Sequence, residues 1–318
     1  MPKKKSFPTL PKKTSDDKPV CVVIPFFNAC LTLRHAVVSV LAQSYPGWQL
    51  ILLNDGSVDG SIDKIADLVD NQSVHLISDS TNRGLIYRLN QMVELTDAPY
   101  IARMDADDLM HPDRLRLQMA AFSCNPHFDV VSSGMAIMTS DYKVVGVRCV
   151  DRQPTLADYV KYGGLVHASC IFHRKFLENN RYDPEFFRAE DRGLFLRGLP
   201  HAQYHCVTEP LYFCAEYNRF NKKRYLDSYR SERKVILRHG PRLLGWPATA
   251  AFFLRSAMKG PVVHFMTSLG VAQRITRRAS AAYSGNKLSE LQGIVDAILK
   301  ISRKYPIASS VHSQIKLV

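Results

Sequence analysis

Short apolar, β-branched segments alternate with amphipathic segments between residues 20 and 104 of this 318-residue chain. The apolar segments have the length and composition of strands that are buried on both faces, as in a parallel sheet. The segments between them carry apolar residues at helical spacing. We predict strands at 20–24, 48–53, 74–77 and 100–104, and helices at 31–42, 62–69 and 85–95. This alternation predicts an α/β fold with a doubly wound, mostly parallel sheet and right-handed crossovers.

Less regular elements follow in the second half of the chain. The pattern predicts a helix at 112–123, paired strands at 130–138 and 143–147, a strand at 167–172 and a helix at 191–197. Past residue 218 the sequence becomes basic and amphipathic, with predicted breaks at Gly240-Pro241, Trp246-Pro247 and Gly260-Pro261. We therefore expect a disordered basic tail at 1–19, an α/β domain at 20–218 and a basic amphipathic helical region at 219–318.

The net charge of +13 is concentrated at the C-terminal end of the chain. Residues 219–318 carry 19 basic and four acidic side chains, whereas residues 19–218 carry 17 basic and 23 acidic ones. Only the last third therefore predicts an anionic partner, either membrane lipid or nucleic acid. No nucleic-acid reader motif is present, so we expect no nucleic acid. Apolar residues between 243 and 271 favour helices in the headgroup region of an anionic membrane; the alternative is a helical subdomain with a solvated basic face.

Cysteine usage and hydropathy bear on the compartment. The seven cysteines form no C-x-x-C pair and no zinc spacing, which favours reduced thiols in the cytosol. The basic start of the chain is not followed by an apolar stretch, and no uncharged run reaches the roughly 20 residues that cross a bilayer. We expect a cytoplasmic protein without a signal peptide, peripheral at the inner face of the cell membrane.

Polar side chains stand where the predicted strands end. Asp105, Asp107 and Asp108 follow the fourth strand, and a second acidic pair lies at Glu190-Asp191. Three carboxylates within four residues repel one another unless a cation or water surrounds them, so the run is a metal site, a solvated acidic turn or the start of a helix. The strand ends of such a sheet converge on one crevice. There they deliver the following residues: Pro25, Asn28, Asp55, Arg83, Asp105 and Asp107.

This set of residues suits a nucleotide whose diphosphate is held through a metal ion. The sequence contains neither G-x-G-x-x-G nor G-x-x-x-x-G-K-[ST], so neither a dinucleotide fold nor a P-loop is indicated.

Eight stretches together resemble a known family. They are VVIPFFN at 22–28, SVLAQSYP at 39–46, NDGSVDG at 54–60, NRGL at 82–85, IARMDADD at 101–108, HPDRL at 111–115, HAS at 167–169 and AEDRGLFLR at 189–197. In this order they resemble the family 2 glycosyltransferases with the GT-A fold, over about residues 20–200. Two positions depart from the family pattern: Asn54 stands where aspartate is common, and Gly193-Leu194-Phe195 stands where many relatives have Asp-Leu-Trp.

The resemblance implies a role for each matching residue. Pro25, Asn28 and Asp55 would line the nucleotide pocket. Asp107, in the D-x-D element, would bind Mn²⁺ or Mg²⁺, and Asp105 would lie by the ribose or the metal. Asp191 would be the general base, with Glu190 beside it. The remaining residues that the resemblance places near phosphate, sugar or acceptor are Arg83, Arg103 and His167; for the two arginines a surface ion pair is the alternative, and for the histidine a structural role.

The implied reaction is the inverting transfer of one sugar from a nucleotide-diphosphate sugar, with UDP the favoured nucleotide, to a glycan or lipid-linked acceptor. Cell-surface polysaccharide biosynthesis, such as that of capsule or lipopolysaccharide, is the implied destination. The Q-x-x-R-W element of processive synthases is absent, which favours transfer of a single sugar. A metal-dependent nucleotidyltransferase and a nucleic-acid-binding protein remain as alternatives.

Overall fold

A computed structural model describes residues 19–69, 73–148, 165–216, 220–272 and 285–304; the predicted disordered tail lies outside these ranges apart from Pro19. Nine strands within them form one sheet, in the order β3-β2-β1-β4-β8-β6-β9-β5, with β7 paired to β6. The strands are Val20–Phe26 (β1), Trp48–Asp55 (β2), Val74–Asp79 (β3), Tyr100–Arg103 (β4), Leu109–Met110 (β5), Val130–Met138 (β6), Val144–Arg148 (β7), Ile171–His173 (β8) and Tyr204–Cys214 (β9).

The strands of the first half run in parallel. β1 pairs in parallel with β2 and β4, and β2 pairs in parallel with β3. β8 then joins β4 and β6 in antiparallel pairs, while β6 and β9 are parallel. Six of the described strands therefore point the same way, which confirms the predicted mostly parallel sheet. The carboxyl ends of β1, β2 and β4 reach the same edge.

Helices cover both faces of the sheet. Those described are Leu33–Leu41 (α1), Ala66–Val69 (α2), Leu85–Gln91 (α3), Arg114–Cys124 (α4), Arg174–Asn179 (α5), Glu190–Gly198 (α6), Lys222–Leu244 (α7), Trp246–Ser268 (α8) and Gly285–Ser302 (α9), with 3-10 turns at Asp63–Ile65, His167–Ser169, Pro184–Phe186 and Leu199–His201.

Successive strand side chains enter two separate cores. In β1, Val22 and Ile24 pack into a core shared with α1, α4 and α9, whereas Cys21 and Val23 pack into a core shared with α3 and α6. This division follows from the two-residue period of a strand, which sends alternate side chains to opposite faces. The continuous apolar runs that predicted these strands are therefore explained by burial on both faces.

The structure differs from the predictions at His167, Pro241 and Pro261, and it contains three elements that were not predicted: β5, β9 and α5. His167 lies in the 3-10 turn before β8 rather than in a strand. Helix α7 continues through Pro241 and helix α8 through Pro261, so neither proline ends its helix. Each follows a glycine, which has no Cβ to clash with the proline ring. The predicted break at Trp246-Pro247 is confirmed: the chain reverses at Gly245, whose φ of 78° is in the left-handed region, and Pro247 is in the first turn of α8.

The C-terminal helices contact the sheet domain. The Arg34 Nε atom on α1 donates to the Ser302 carbonyl oxygen at the end of α9, at 2.7 Å. Val235 of α7 is fully buried in the core beside α6. The boundary predicted at 218/219 falls at 217–219, outside the described residues, and stays a prediction. Among the described helices, none combines the length and hydropathy that a membrane span requires.

Candidate active site

The loops after β1 and β2 are joined into one rim at the carboxyl edge of the sheet. Asn28 has a φ of 50°, and its backbone N–H donates to the Ser57 hydroxyl at 2.9 Å. The Val58 N–H donates in return to Asn28 Oδ1 at 3.0 Å. Pro25 is buried within β1, so its predicted contact with a nucleotide stays a prediction. The rim is therefore fixed by side-chain hydrogen bonds, with the ring of Phe27 exposed beside it.

Asp55, at the end of β2, holds the loop that follows β3. Its carboxylate accepts hydrogen bonds from the backbone N–H groups of Arg83 and Gly84, both at 2.9 Å. It also forms a buried ion pair with Arg88 of α3, at 2.7 Å. The side chain of Arg83 points elsewhere and pairs with Asp79 at 2.8 Å. The predicted nucleotide contacts of Asp55 and Arg83 stay predictions.

The acidic run after β4 is divided between the interior and the edge of the sheet. Asp108 is buried and accepts hydrogen bonds from the Tyr212 hydroxyl at 2.8 Å and the Ala215 N–H at 2.9 Å. Its burial and the charges of Asp105 and Asp107 raise the pKa of Asp108 well above its usual range. Asp105 and Asp107 are only half-buried. Asp108 therefore anchors the run to β9 and leaves the other two carboxylates at the edge.

Arg103, the last residue of β4, is buried behind this edge. Its Nη2 atom donates to Asp105 Oδ1 at 2.5 Å, while its buried Nε atom has no hydrogen-bond partner among the described residues. Burial acts to lower the pKa of Arg103, but the charge of Asp105, followed by Tyr212, Tyr182 and Glu190, raises it above the usual range. Arg103 therefore stays cationic between acidic groups.

The second acidic pair begins helix α6, where the helix dipole favours negative charge. The Arg192 N–H donates to Asp191 Oδ1 at 2.6 Å. Burial, followed by the charge of Asp191, raises the pKa of Glu190 to about 7, and Asp105 adds to the rise. The structure thus brings Glu190 within electrostatic reach of both Asp105 and Arg103, although almost ninety positions separate the two acidic motifs.

His167 lies behind the same region in an aromatic cluster. Its Nε2 atom and the Tyr182 hydroxyl are 2.8 Å apart, and its ring meets Phe195 edge-on with 5.7 Å between centroids. Burial, followed by the positive charge of Arg103, lowers the pKa of His167 well below its usual range. The ring is therefore neutral and packed, and its predicted role toward the acceptor stays a prediction.

Two tyrosines of the site escaped the sequence reasoning. Tyr212 joins Asp108 to the backbone N–H of Asp105, to which its hydroxyl oxygen is 3.1 Å away. Tyr182 contacts His167 from the segment before α6. No local pattern identifies either residue, because both reach the site through long-range pairing. Phe27, in contrast, was expected at the site, because the first strand delivers it to the crevice between Pro25 and Asn28.

Comparisons with known proteins identify the family of this chain. Residues 21–230 match the family model for glycosyl transferase family 2. EpsE of Bacillus subtilis is 32% identical over 183 residues, covering 56% of this chain and 66% of EpsE. The UDP-Glc:alpha-D-GlcNAc-diphosphoundecaprenol beta-1,3-glucosyltransferase WfgD of Escherichia coli is 24% identical over 187 residues, covering 57% of this chain and 70% of WfgD. The chain thus spans about two thirds of the length of these relatives.

A solved structure extends the likeness beyond the catalytic sheet. The mannosyltransferase PcManGT from Pyrobaculum calidifontis, solved with GDP-Man and Mn²⁺, superposes with a TM-score of 0.55 at 16% identity. The superposition covers 94% of this chain and 90% of PcManGT, so the predicted GT-A fold is confirmed. The family match includes every residue of the site described above. This chain belongs to glycosyl transferase family 2 and carries the transferase domain of that family.

Proposed function

We propose that the protein transfers one sugar, with inversion, from a nucleotide-diphosphate sugar to a hydroxyl of a glycan or lipid-linked acceptor. One observation carries the proposal. Arg103 donates to Asp105 at the end of β4, and the carboxylate of Glu190 at the start of α6 lies within electrostatic reach of both residues. Separate acidic groups for the leaving group and for the acceptor are what an inverting sugar transfer requires.

The rim formed by the loops after β1 and β2 would bind the nucleoside. The exposed ring of Phe27 offers a face for a base, and the neighbouring loop of Asn28 offers backbone and amide groups for hydrogen bonds. The name of WfgD specifies UDP-Glc as its donor, which supports UDP as the nucleotide here.

The acidic edge after β4 fits a divalent cation shared with a diphosphate. Within the described ranges, no three His, Cys, Asp or Glu side chains form a metal-binding group by themselves. Mg²⁺ at nucleotide sites is commonly held by one or two carboxylates together with substrate phosphates, and Asp107 with Asp105 would provide that number. A bound Mn²⁺ or Mg²⁺ would stabilise negative charge on the departing nucleoside diphosphate. PcManGT was solved with Mn²⁺.

Asp191 would remove the proton from the acceptor hydroxyl. It occupies the first turn of α6, and the Arg192 N–H fixes one of its carboxylate oxygens at 2.6 Å. An oxygen that attacks the sugar from the face opposite the diphosphate inverts the anomeric carbon in one displacement.

Helix α8 would bring the enzyme to a membrane-bound acceptor. Its outer face carries a stripe of exposed apolar side chains spaced three or four residues apart: Leu254, Met258, Val262, Phe265 and Leu269. A helix with such a face binds at a bilayer interface, and neighbouring basic residues contribute about 1 kcal/mol each on anionic lipid. WfgD acts on a lipid diphosphate acceptor, which supports work at the inner face of the cell membrane on a surface polysaccharide.

The test is a panel of nucleotide sugars incubated with the purified protein and Mn²⁺. We expect release of a nucleoside diphosphate and an inverted product by NMR, and loss of turnover in excess EDTA. Asp191→Asn should abolish transfer while nucleotide binding survives, with Asp97→Asn as the surface control. Release of pyrophosphate would indicate a nucleotidyltransferase instead.

The membrane step needs a separate measurement. We expect the protein to co-sediment with anionic but not with neutral vesicles, and Met258→Glu to weaken the binding. Equal binding of parent and variant would contradict docking through α8.

A further inference from the structure

A groove of about 440 Å³ lies along the outer side of α3. One wall is α3 together with the loop that precedes it, and the other is the segment that leads into α6. Its lining includes the side chains of Arg83, Leu85, Glu94 and Phe187. We call this feature the Phe187 groove. It differs from the rim after β1 and β2 and from the acidic edge after β4.

The two walls are held together by hydrogen bonds, so the groove is formed before any ligand binds. The side-chain amide of Asn90 on α3 donates to the Tyr182 carbonyl oxygen at 2.9 Å and accepts from the Tyr182 N–H at 2.8 Å. Arg181 Nη1 donates to the Asn90 carbonyl oxygen at 2.7 Å. Ligand binding would therefore lose little free energy to the ordering of these walls.

Two adjacent phenylalanines point in opposite directions at the far wall. Phe186 is buried against Gly193 of α6, where an added Cβ would lie 2.5 Å from the Phe186 ring. Phe187 is 57% exposed and turns its ring outward. Arg188 has a φ of 64° and places its guanidinium 5.0 Å from the centre of the Phe187 ring. A bulky residue in this conformation is uncommon and indicates that the surrounding structure fixes the loop.

Most charges of the groove form ion pairs within the protein. Arg83 pairs with Asp79 at 2.8 Å, and Glu94 lies 3.6 Å from Arg181. Arg188 adds one positive charge beside the Phe187 ring. One guanidinium beside two ion pairs is a weak site for a diphosphate. The groove combines apolar faces on Leu85 and Phe187 with hydrogen-bonding groups at the edges, which suits a neutral, hydroxyl-rich ring.

The position of the groove identifies which sugar it would hold. At one end, the N–H groups of Arg83 and Gly84 bind Asp55, so that wall is continuous with the nucleotide side. At the other end, the backbone of Tyr182 holds Asn90 in the groove wall. The Tyr182 side chain is buried within electrostatic reach of Glu190 and Asp191. A ligand in the groove therefore lies on the side of the base, where the attacking hydroxyl must be.

We propose that the Phe187 groove binds a pyranose ring of the acceptor glycan, stacked on the face of the Phe187 ring opposite Arg188. The inference rests on the transferase function proposed above and adds a site for the acceptor to it. Removal of the Phe187 ring would take away both the stacking contact and the apolar area that the sugar buries, so binding of the acceptor should weaken by about fivefold or more.

The experiment separates acceptor from donor kinetics. The probe is the glycoside that the parent enzyme uses best in a panel of benzyl hexosides and benzyl N-acetylhexosaminides. Phe187→Ala should lower kcat/KM for this glycoside by about fivefold or more, through KM. The donor KM and the hydrolysis of donor without acceptor should stay unchanged. Phe187→Trp should restore the acceptor KM, and Leu237→Ala, at an exposed apolar position of α7, is the matched control.

Three results decide between the hypotheses. If Phe187→Ala lowers kcat/KM for the acceptor but leaves the donor KM unchanged, and Phe187→Trp restores the acceptor KM, the groove is supported as an acceptor site. Unchanged acceptor kinetics in Phe187→Ala, or an equal change in the donor KM, overturns it. A parent enzyme that neither transfers nor hydrolyses any nucleotide sugar contradicts the proposed function, which is a different failure from either of these.

Discussion

Glu190 should make the folded protein less stable as the pH rises, and Glu190→Gln should remove this effect. The pKa of Glu190 is raised to about 7 from a model-peptide value of 4.5, by burial and by the charge of Asp191. Below pH 4.5 the carboxyl is protonated in both the folded and the unfolded chain, so it does not change the free energy of unfolding. Between pH 4.5 and 7 the unfolded chain releases this proton while the folded chain keeps it, which favours unfolding. Above pH 7 the carboxyl is ionised in both states, and the free energy of unfolding has lost its full contribution from this group.

The magnitude follows from the size of the shift. Each pKa unit corresponds to about 1.4 kcal/mol, so the cost approaches about 3 kcal/mol at pH 8 and is about 1 kcal/mol at pH 5. Glutamine keeps the shape of the side chain and has no charge. For a chain of this length we expect Glu190→Gln to raise Tm by about 5 °C at pH 8 and by about 1 °C at pH 5.

Thermal unfolding of parent and variant at both pH values, followed by circular dichroism, is the measurement. Glu185→Gln, at an exposed glutamate in the preceding turn, is the matched control and should show no pH-dependent gain. A gain for Glu190→Gln that is equal at both pH values would contradict the titration argument. No gain at pH 8 would show that the ionised carboxylate is well accommodated.

Three further substitutions test the packing around the site, each by urea unfolding. Glu232→Gln should lower the free energy of unfolding by about 2–3 kcal/mol, because it removes the charge of a buried carboxylate that pairs with Arg192 of α6 and Lys259 of α8. The side chain of Lys259 is 34% exposed, which reduces the effect. Gly193→Ala should cost about 1–3 kcal/mol, because Phe186 is buried and must move away from the new Cβ. Asp55→Asn should cost about 3 kcal/mol, because it leaves the buried Arg88 without its nearest carboxylate. A loss below about 0.5 kcal/mol in any of them would contradict the corresponding contact.

The sequence was sufficient to predict the central strands and the helices between them. Their β-branched runs are buried on both faces, so hydrophobic pattern and structure agree. Strand β9 was not predicted at all. It contains Pro210 and two exposed polar residues, and its pairing with β6 shifts register opposite Pro210. An irregular strand of this kind is held by its neighbours rather than by its own pattern.

The candidate site, too, was predictable only in part. Strand ends and family motifs identified the carboxylates that meet around Arg103. Spacing could not show which aspartate of the acidic run turns inward, because that is decided by Tyr212 and Ala215, more than a hundred positions later. The Phe187 groove was missed for a related reason, since its two walls are distant in sequence and are joined by the long-range contacts of Asn90 and Glu94.

The ion pairs of Glu232 with Arg192 and Lys259 have a consequence for the design of chimaeric proteins from related sequences. The family match ends at residue 230, within α7, but Glu232 and Val235 lie just beyond that point. Glu232 binds Arg192, the neighbour of Asp191, and Val235 completes a core. In a chimaera joined at residue 230, the residues that contact α6 from positions 232 and 235 would therefore come from the other protein. Grafts of acceptor specificity among these proteins should place their junction at Gly245 or later, where the chain reverses between two helices.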